Sequence, residues 1–428
     1  MTESLTTTTS AAPAPPPAPQ VARGLEPRKP LHRTHPLPPP PPAPPPARPS
    51  RLVALDVLRG IAILGTLGTN IWILTDPEGI IGYINHLGAP VEDGWGWAER
   101  ALQQFAQGKY LGLLTIMFGI GLAIQQASAQ RAGRRWPGKY PIRAGLLLLD
   151  GLLNFLLIAE FDVLMGYALT GLVVAYLLAT SERAQRRWLI VQASIHVTML
   201  TLLAVAMTAD GGGSVSASDP EPLDPNPYAD GSFWDLVLFR LDNALTFRLE
   251  AIFIFPMSIA LFLLGAWLYR AGVFAPEGAR LRKRLMILGF GVAAPADLLL
   301  GVFVGGDVVL ITRYGIAPLV SLGILALVAH FYLNRPRTGF VGARLSEVGR
   351  TALSCYILQN LVASIICYGW GFGLAARVSP DARVPFTVAV YLVVALIIVG
   401  FAHLWLRRFD RGPVEWLWNS TYRRLAGG

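Results

Sequence analysis

The sequence predicts an all-α, polytopic integral membrane protein with about ten transmembrane helices and both termini in the cytoplasm. Three observations predict it. The composition is 53% hydrophobic and only 15% charged, with a mean hydropathy of +0.47, whereas a soluble chain of 428 residues needs a more polar surface. Apolar runs near the ~20 residues that cross a bilayer recur along the chain. The basic residues alternate from loop to loop, as they do where Lys and Arg are retained in the cytoplasm.

The first element, residues 1–50, is of another kind. It is rich in Thr, Ala and Pro and ends "PLPPPPPAPPPARPS". It has no apolar core and no cleavage site, so it is not a signal peptide. With nothing to bury, and with prolines that favour an extended polyproline helix, it is expected to be a disordered cytoplasmic tail. A docking tract for a Pro-binding partner is the alternative, and no residue selects it.

From Arg51 onward the spans are expected at 52–74, 108–128, 142–159, 163–180, 187–208, 248–269, 285–305, 310–333, 348–372 and 386–406. The third and fourth are joined by a very short turn, Glu160 to Asp162, and should form a tight hairpin. The loops "QRAGRRWPGKYPIR", "SERAQRR", "RLRKR" and "NRPRTGFVGARLSEVGR", with Arg270 and the C-terminal segment, hold 22 Lys and Arg, and the alternate set holds 4. The alternation never breaks, which supports an even number of spans and cytoplasmic termini.

The loop 209–247 is then extracytoplasmic. It opens with the flexible acidic stretch "ADGGGSVSASDPEPLDPNPYADG". It closes with "FWDLVLFRLDNALTFRLE", where Phe233, Trp234, Val237, Leu238, Leu241, Ala244 and Leu245 recur at helical spacing. With Asp235, Arg240 and Asp242 as its polar face, this reads as an amphipathic helix on the outer interface. An early start to the next span is the other reading.

Cys355 and Cys367 fall in one apolar segment, about three helical turns apart, so they cannot pair across a straight helix. No CxxC or Cys/His cluster exists, and no metal or prosthetic group is expected. There is no Walker loop and no GxSxG motif. No nucleic-acid partner is expected. The glycines in "MFGIGLAI" and "GFGVAAPADLLLGVFVGG" read as places where helices approach closely.

Polar residues inside apolar segments are costly, so they face the bundle interior with partners. Asp56 and Arg59, at i and i+3, share one face of the first span. They form either a packing salt bridge or a donor site, in which Arg59 holds an anionic group and Asp56 orients Arg59. Asn70 shares that face about 16 Å further along. Lys109 opens the second span. Asp150 and Asn154 lie at i and i+4 in the third, and Asp162 and Tyr167 follow its turn. Arg248 and Glu250 open the sixth span, and Arg313 and Tyr314 the eighth. Arg350, Ser354, Tyr356, Gln359 and Asn360 lie in "GRTALSCYILQN". By the expected topology Asp162, Arg248, Glu250 and Arg313 gather near the outer face, and Arg350 near the level of Arg59. Such a two-ended system suits a donor on one side and an acceptor on the other, or a transport path. Of the histidines, only His86, in "GYINHLGAP", is a candidate for catalysis.

"LDVLRGIAILGTLGTNI", "KYLGLLTIMFGIGLAI", "DGLLNFLLIAEFDVLMGYALTG", "FLLGAWLYRAGVF", "GRTALSCYILQNLV" with "YGWGFGL", and "GPVEWLWNSTYRRL" resemble segments of the YeiB-like proteins, the domain of unknown function numbered 418. The resemblance spans Arg51 to Leu425. That family is more distantly similar to membrane acyltransferases that acetylate sugars and glycans across a bilayer, which share the "LRG" of the first span. The resemblance implies a multi-pass inner-membrane protein that moves an acyl group from cytoplasmic acyl-CoA to a small-molecule or glycan acceptor outside. Many of the acyltransferases carry a histidine where this chain has Asn70, and YeiB-like proteins commonly carry one where it has Asn154. Asparagine cannot take a proton near neutral pH, which moves the base to Asp162, Glu160 or His86. In this reading Arg59 and Arg350 hold the donor's phosphates. Asp162, with Asn154 and Tyr167, serves the reaction, and Asn70 donates to an oxyanion. Arg248, Glu250, Arg313 and Gln359 lie on the acceptor side. The rival readings are an exporter of a small polar or anionic solute and a non-catalytic scaffold.

Overall fold

A computed structural model describes residues 53–86, 91, 94–209, 222–333, 335 and 338–427. The Pro-rich segment 1–50, expected to be a disordered tail, and most of the acidic stretch after Ala209 lie outside the described residues. The described elements fall in the unit Arg51–Gly428.

Among the described residues every regular element is helical. The chain runs α1 (Val53–Leu74), α2 (Gly79–Asn85), α3 (Gly94–Ala106), α4 (Lys109–Arg131), α5 (Tyr140–Leu157), α6 (Leu164–Leu178), α7 (Glu182–Ala209) and α8 (Phe233–Asp242). It continues through α9 (Ala244–Phe253) and α10 (Phe255–Arg270). Then come α11 (Pro276–Val304), α12 (Val309–Leu333), α13 (Gly339–Arg350), α14 (Ala352–Cys367), α15 (Arg383–Leu406) and α16 (Pro413–Leu425). Seven of the described helices are long and apolar enough to cross a membrane, and nine spans result if each of two bent pairs counts as one. This is a multi-pass membrane protein. The apolar helix α6, with 15 residues, is shorter than a full span.

All ten expected segments are helical, but two of them bend. The segment expected as 248–269 is α9 and α10 at 44°, broken at Ile254 with Pro256 in the first turn of α10. The proline lacks an N–H and crowds the preceding turn. The segment expected to begin at 348 is cut at Thr351, where α13 meets α14 at 89°. In α11 the backbone widens to π-type turns at Ile287–Ala293, just ahead of Pro295, which relieves the clash that proline makes with the turn before it.

Close approaches hold the bundle together, as the small residues predicted. A methyl group on Gly60 of α1 would overlap the Leu345 carbonyl of α13, and one on Gly349 would overlap that of Asp56. On α4, Gly119 lies against the Phe262 backbone of α10. Gly121, one turn-face away, meets no heavy atom within 4 Å of such a methyl group. Only the first of these two glycines is there for packing.

The loop's closing segment forms helix α8, in which one expected polar residue is placed differently. Its start is secured by Ser232 and Asp235, whose side chains accept each other's backbone N–H. Arg240, expected on the solvated face, is 1% exposed. Trp234, Leu238 and Leu241 point outward instead. The cause is Glu160, fully buried at the α5–α6 turn, which gives Arg240 a partner inside the protein. Of that polar face Arg240 alone turns into the protein, while Asp235 and Asp242 stay exposed.

Candidate functional site

Helix α1 lays out the site. Its polar face runs from Arg59 through Ile63 and Thr66 to Asn70, at the helical spacing that keeps side chains on one face. Arg59 and Ile63 line one cavity, of 400 Å³. Thr66, Thr69 and Asn70 line another, of 70 Å³. Tyr356 of α14 lines both. It is buried, and its hydroxyl, near the Val163 backbone, forms no hydrogen bond of acceptable geometry among the described residues.

The small cavity gathers most of the residues singled out in the sequence. Asn70, Asp162, Tyr167, Arg248, Glu250 and Arg313 all line it. The tight α5–α6 turn folds Asp162 back onto α5, where Asn154 Nδ2 donates to Asp162 Oδ1 at 2.8 Å. The Met165 N–H donates to Asp162 Oδ2 at 3.0 Å. Arg248 donates through Nη1 to the Asp162 carbonyl at 2.9 Å and through Nη2 to that of Glu160, and it lies 4.3 Å over the Phe155 ring. Across the cavity, Glu250 accepts from Arg313 at 2.9 Å and from the Tyr314 hydroxyl at 2.7 Å. The Tyr167 hydroxyl meets Thr115 at 2.8 Å. Asn70 Nδ2 reaches Asn360 Oδ1 at 3.5 Å. Gln359, expected on the acceptor side, is fully buried behind this wall and lines neither cavity, and its amide atoms have no partner among the described residues.

The large cavity has apolar walls from Ile63, Leu114, Met117, Phe118 and Leu147, with charged groups at Arg59, Arg143 and Glu415. Arg59 pairs with the buried Asp56 at 3.2 Å. Arg143 donates to Gln125 at 2.9 Å and stacks 4.4 Å over the Tyr422 ring. Glu415 of α16 accepts from the N–H groups of Leu353 at 2.8 Å and Ser354 at 3.2 Å, so it caps the start of α14. Arg350, expected near the level of Arg59, lies outside this cavity and donates to the Asp410 carbonyl at 3.2 Å. It is the last residue of α13, before the 89° bend that takes α14 into the cavity wall.

Arg143, Glu415 and Trp418, which also line this cavity, were not singled out in the sequence. Arg143 counted only as a loop cation, and Glu415 only as part of "GPVEWLWNSTYRRL".

Two of the alternative bases are otherwise engaged. Glu160 accepts from Arg240 Nε at 3.1 Å and from the Tyr228 hydroxyl at 3.0 Å, and Arg240 also donates to the carbonyls of Leu156 and Ile158 at the end of α5. His86 lies outside both cavities, 3.3 Å from Asp76. Its hydrogen bond to Asp76 raises its pKa above the ordinary imidazole value, against the pull of partial burial. Lys109 forms a buried ion pair with Asp297 of α11, a partner the sequence did not indicate. Among the described residues no three His, Cys, Asp or Glu side chains come together as metal ligands would.

Residues 268–424, which include Tyr356, Asn360 and Glu415, match the family model described as a protein of unknown function, DUF418. Two curated proteins are similar over nearly their whole length. The uncharacterized protein YxaH of Bacillus subtilis is 31% identical over 394 residues, covering 87% of this chain and 94% of its own. The uncharacterized protein YeiB of Escherichia coli is 29% identical over 397 residues, covering 88% and 97%.

Proposed function

We propose that this chain, which belongs to the YeiB-like DUF418 family, is an acyltransferase of a bacterial inner membrane. It moves an acyl group from cytoplasmic acyl-CoA to a hydroxyl or amine of a small-molecule or glycan acceptor outside. In this reading each bent pair is one span and α6 is the tenth, so both termini are cytoplasmic. The observation that carries the reading is the shared wall at Tyr356. On one side of it lies a ligand-sized cavity with two guanidinium groups. On the other lies a smaller cavity, of 70 Å³, lined by the Asp162 and Glu250 carboxylates with Arg248 and Arg313.

Arg59 and Arg143 hold the donor's phosphates, and Asp56 orients Arg59. Asp162, held in place by Asn154 and the Met165 N–H, takes the acceptor's proton. The second amide hydrogen of Asn70 meets the developing oxyanion. As the acceptor's oxygen or nitrogen bonds to the thioester carbon, the C–S bond breaks. The proton passes through Asp162 to the departing thiolate, which leaves as coenzyme A thiol. Arg248, Glu250 and Arg313 complete the acceptor side. Arg350 takes no part.

The test is thermal shift of the purified chain with acyl-CoA. A ligand present at 100 times its Kd stabilises the folded state by about 2.7 kcal/mol, and Arg59→Ala should abolish that gain. No stabilisation by any acyl-CoA, with Arg59→Ala affecting only stability, overturns the reading. The second reading, export of a small anionic solute, draws support from the buried Lys109–Asp297 pair, since buried charges line solute paths. Solute counterflow in liposomes separates the two.

A further inference from the structure

We infer that the donor's acyl chain lies inside the 400 Å³ cavity, and that the donor is a medium- or long-chain acyl thioester rather than an acetyl one. The inference rests on the acyltransferase reading and concerns what that reading leaves open. The large cavity holds far more space than phosphate contacts at Arg59 and Arg143 require. Beyond them much of its wall is apolar, built from Ile63, Leu114, Met117, Phe118 and Leu147, with Gln125, Tyr140, Tyr356, Glu415, Trp418 and Asn419 as its polar remainder. The pantetheine arm that joins the phosphates to the thioester carries two amides, so the alkyl chain is the part of an acyl donor that best matches these apolar walls, and an acetyl donor would leave more of them uncovered.

Gly121 sharpens the argument. It lines this cavity on α4, and a side chain there would enter open space, since no heavy atom outside its own stretch of helix lies within 4 Å of its Cβ position among the described residues. Packing does not require a glycine at this site, as it does at Gly119. A missing side chain at this point widens the cavity and costs helix stability. That pattern suits a site kept open for a ligand. The small cavity, at 70 Å³, has no room for the chain, so the carbonyl is placed at Tyr356 with its alkyl tail pointing back into the large one.

The experiment is a binding series on the full chain in lipid nanodiscs, with empty nanodiscs as blank. The ligands are free coenzyme A and its acetyl, butyryl, octanoyl, decanoyl and palmitoyl thioesters. Each buried methylene should tighten binding about fourfold, until the cavity is full and the affinity levels off. Gly121→Leu should move that plateau to a shorter chain. Gly145→Leu, on α5 and lining neither cavity, also meets open space and should leave the series unaltered. Equal affinity for free coenzyme A and every thioester overturns the chain inference while leaving the donor site standing. A plateau that Gly121→Leu fails to move places the chain in lipid, and also overturns it. No binding even of coenzyme A removes the donor reading beneath it.

Discussion

Arg240 and Glu160 are 80 residues apart in sequence and form a buried ion pair at 3.1 Å, with neither side chain more than 2% exposed. The pair fastens α8 to the α5–α6 turn that carries Asp162. Removing one partner strands the other charge in the interior. Arg240→Met is therefore expected to cost about 3–5 kcal/mol. Replacing both, as Arg240→Met with Glu160→Leu, should recover much of that loss. Melting of the four proteins in nanodiscs measures the coupling, and strictly additive costs would show that the two residues do not act as a pair.

Asp162→Asn keeps the shape of the side chain but removes the base. Acyl transfer should fall by about 10²–10⁴-fold. Donor affinity should hold, because Asp162 does not line the donor cavity. Single-turnover transfer and donor Kd, measured side by side, test this. A matching loss of donor affinity would assign Asp162 to holding the donor.

The two glycines of "MFGIGLAI" should respond oppositely. Gly119→Ala forces a methyl group against the Phe262 backbone, an overpacking expected to cost about 1–3 kcal/mol. Gly121→Ala adds a methyl group in open space and should gain about 0.5–1 kcal/mol of helix stability. Thermal unfolding of the two variants decides it, and equal effects would refute the assignment.

The pH dependence of stability should carry a contribution from His86. Its hydrogen bond to Asp76 raises its pKa in the folded state, while Arg383, 3.6 Å from Asp76, opposes this. A raised histidine pKa stabilises the fold fully below the unfolded value of about 6.5. That contribution is lost as pH rises through the raised value. The melting-temperature gap between the native chain and His86→Gln should be widest near pH 5.5 and close as the pH rises through the raised value. A gap independent of pH would show that the pair is not titrating.

The positions of the helices were legible because each needs a long apolar run, and such runs are local. The bend at Ile254 had a local signal in Pro256. The 89° bend at Thr351 had none of that kind, since no proline stands near it and the turn is shaped by how α13 crosses α1. Arg240 shows a different limit. Helical periodicity separates a polar from an apolar face but does not say whether protein or solvent meets the polar one, and its partner Glu160 lies far away in sequence. The small cavity was readable because a buried Asp, Asn or Arg in an apolar run is conspicuous by itself. The large one was not, because Arg143 and Glu415 sit in basic, amphipathic stretches where charge is ordinary. Only tertiary packing brings them to Arg59.

The cap that Glu415 places on α14 has a consequence for how the chain is made. The N–H of Leu353 is synthesised 62 residues before its acceptor. At about 5–20 residues per second, the first turn of α14 waits several seconds for the group that satisfies it. Until α16 arrives, the wall containing Tyr356 begins at an uncapped turn. Released chains truncated before Glu415 should therefore be cut by protease near Leu353, and the full chain should be protected.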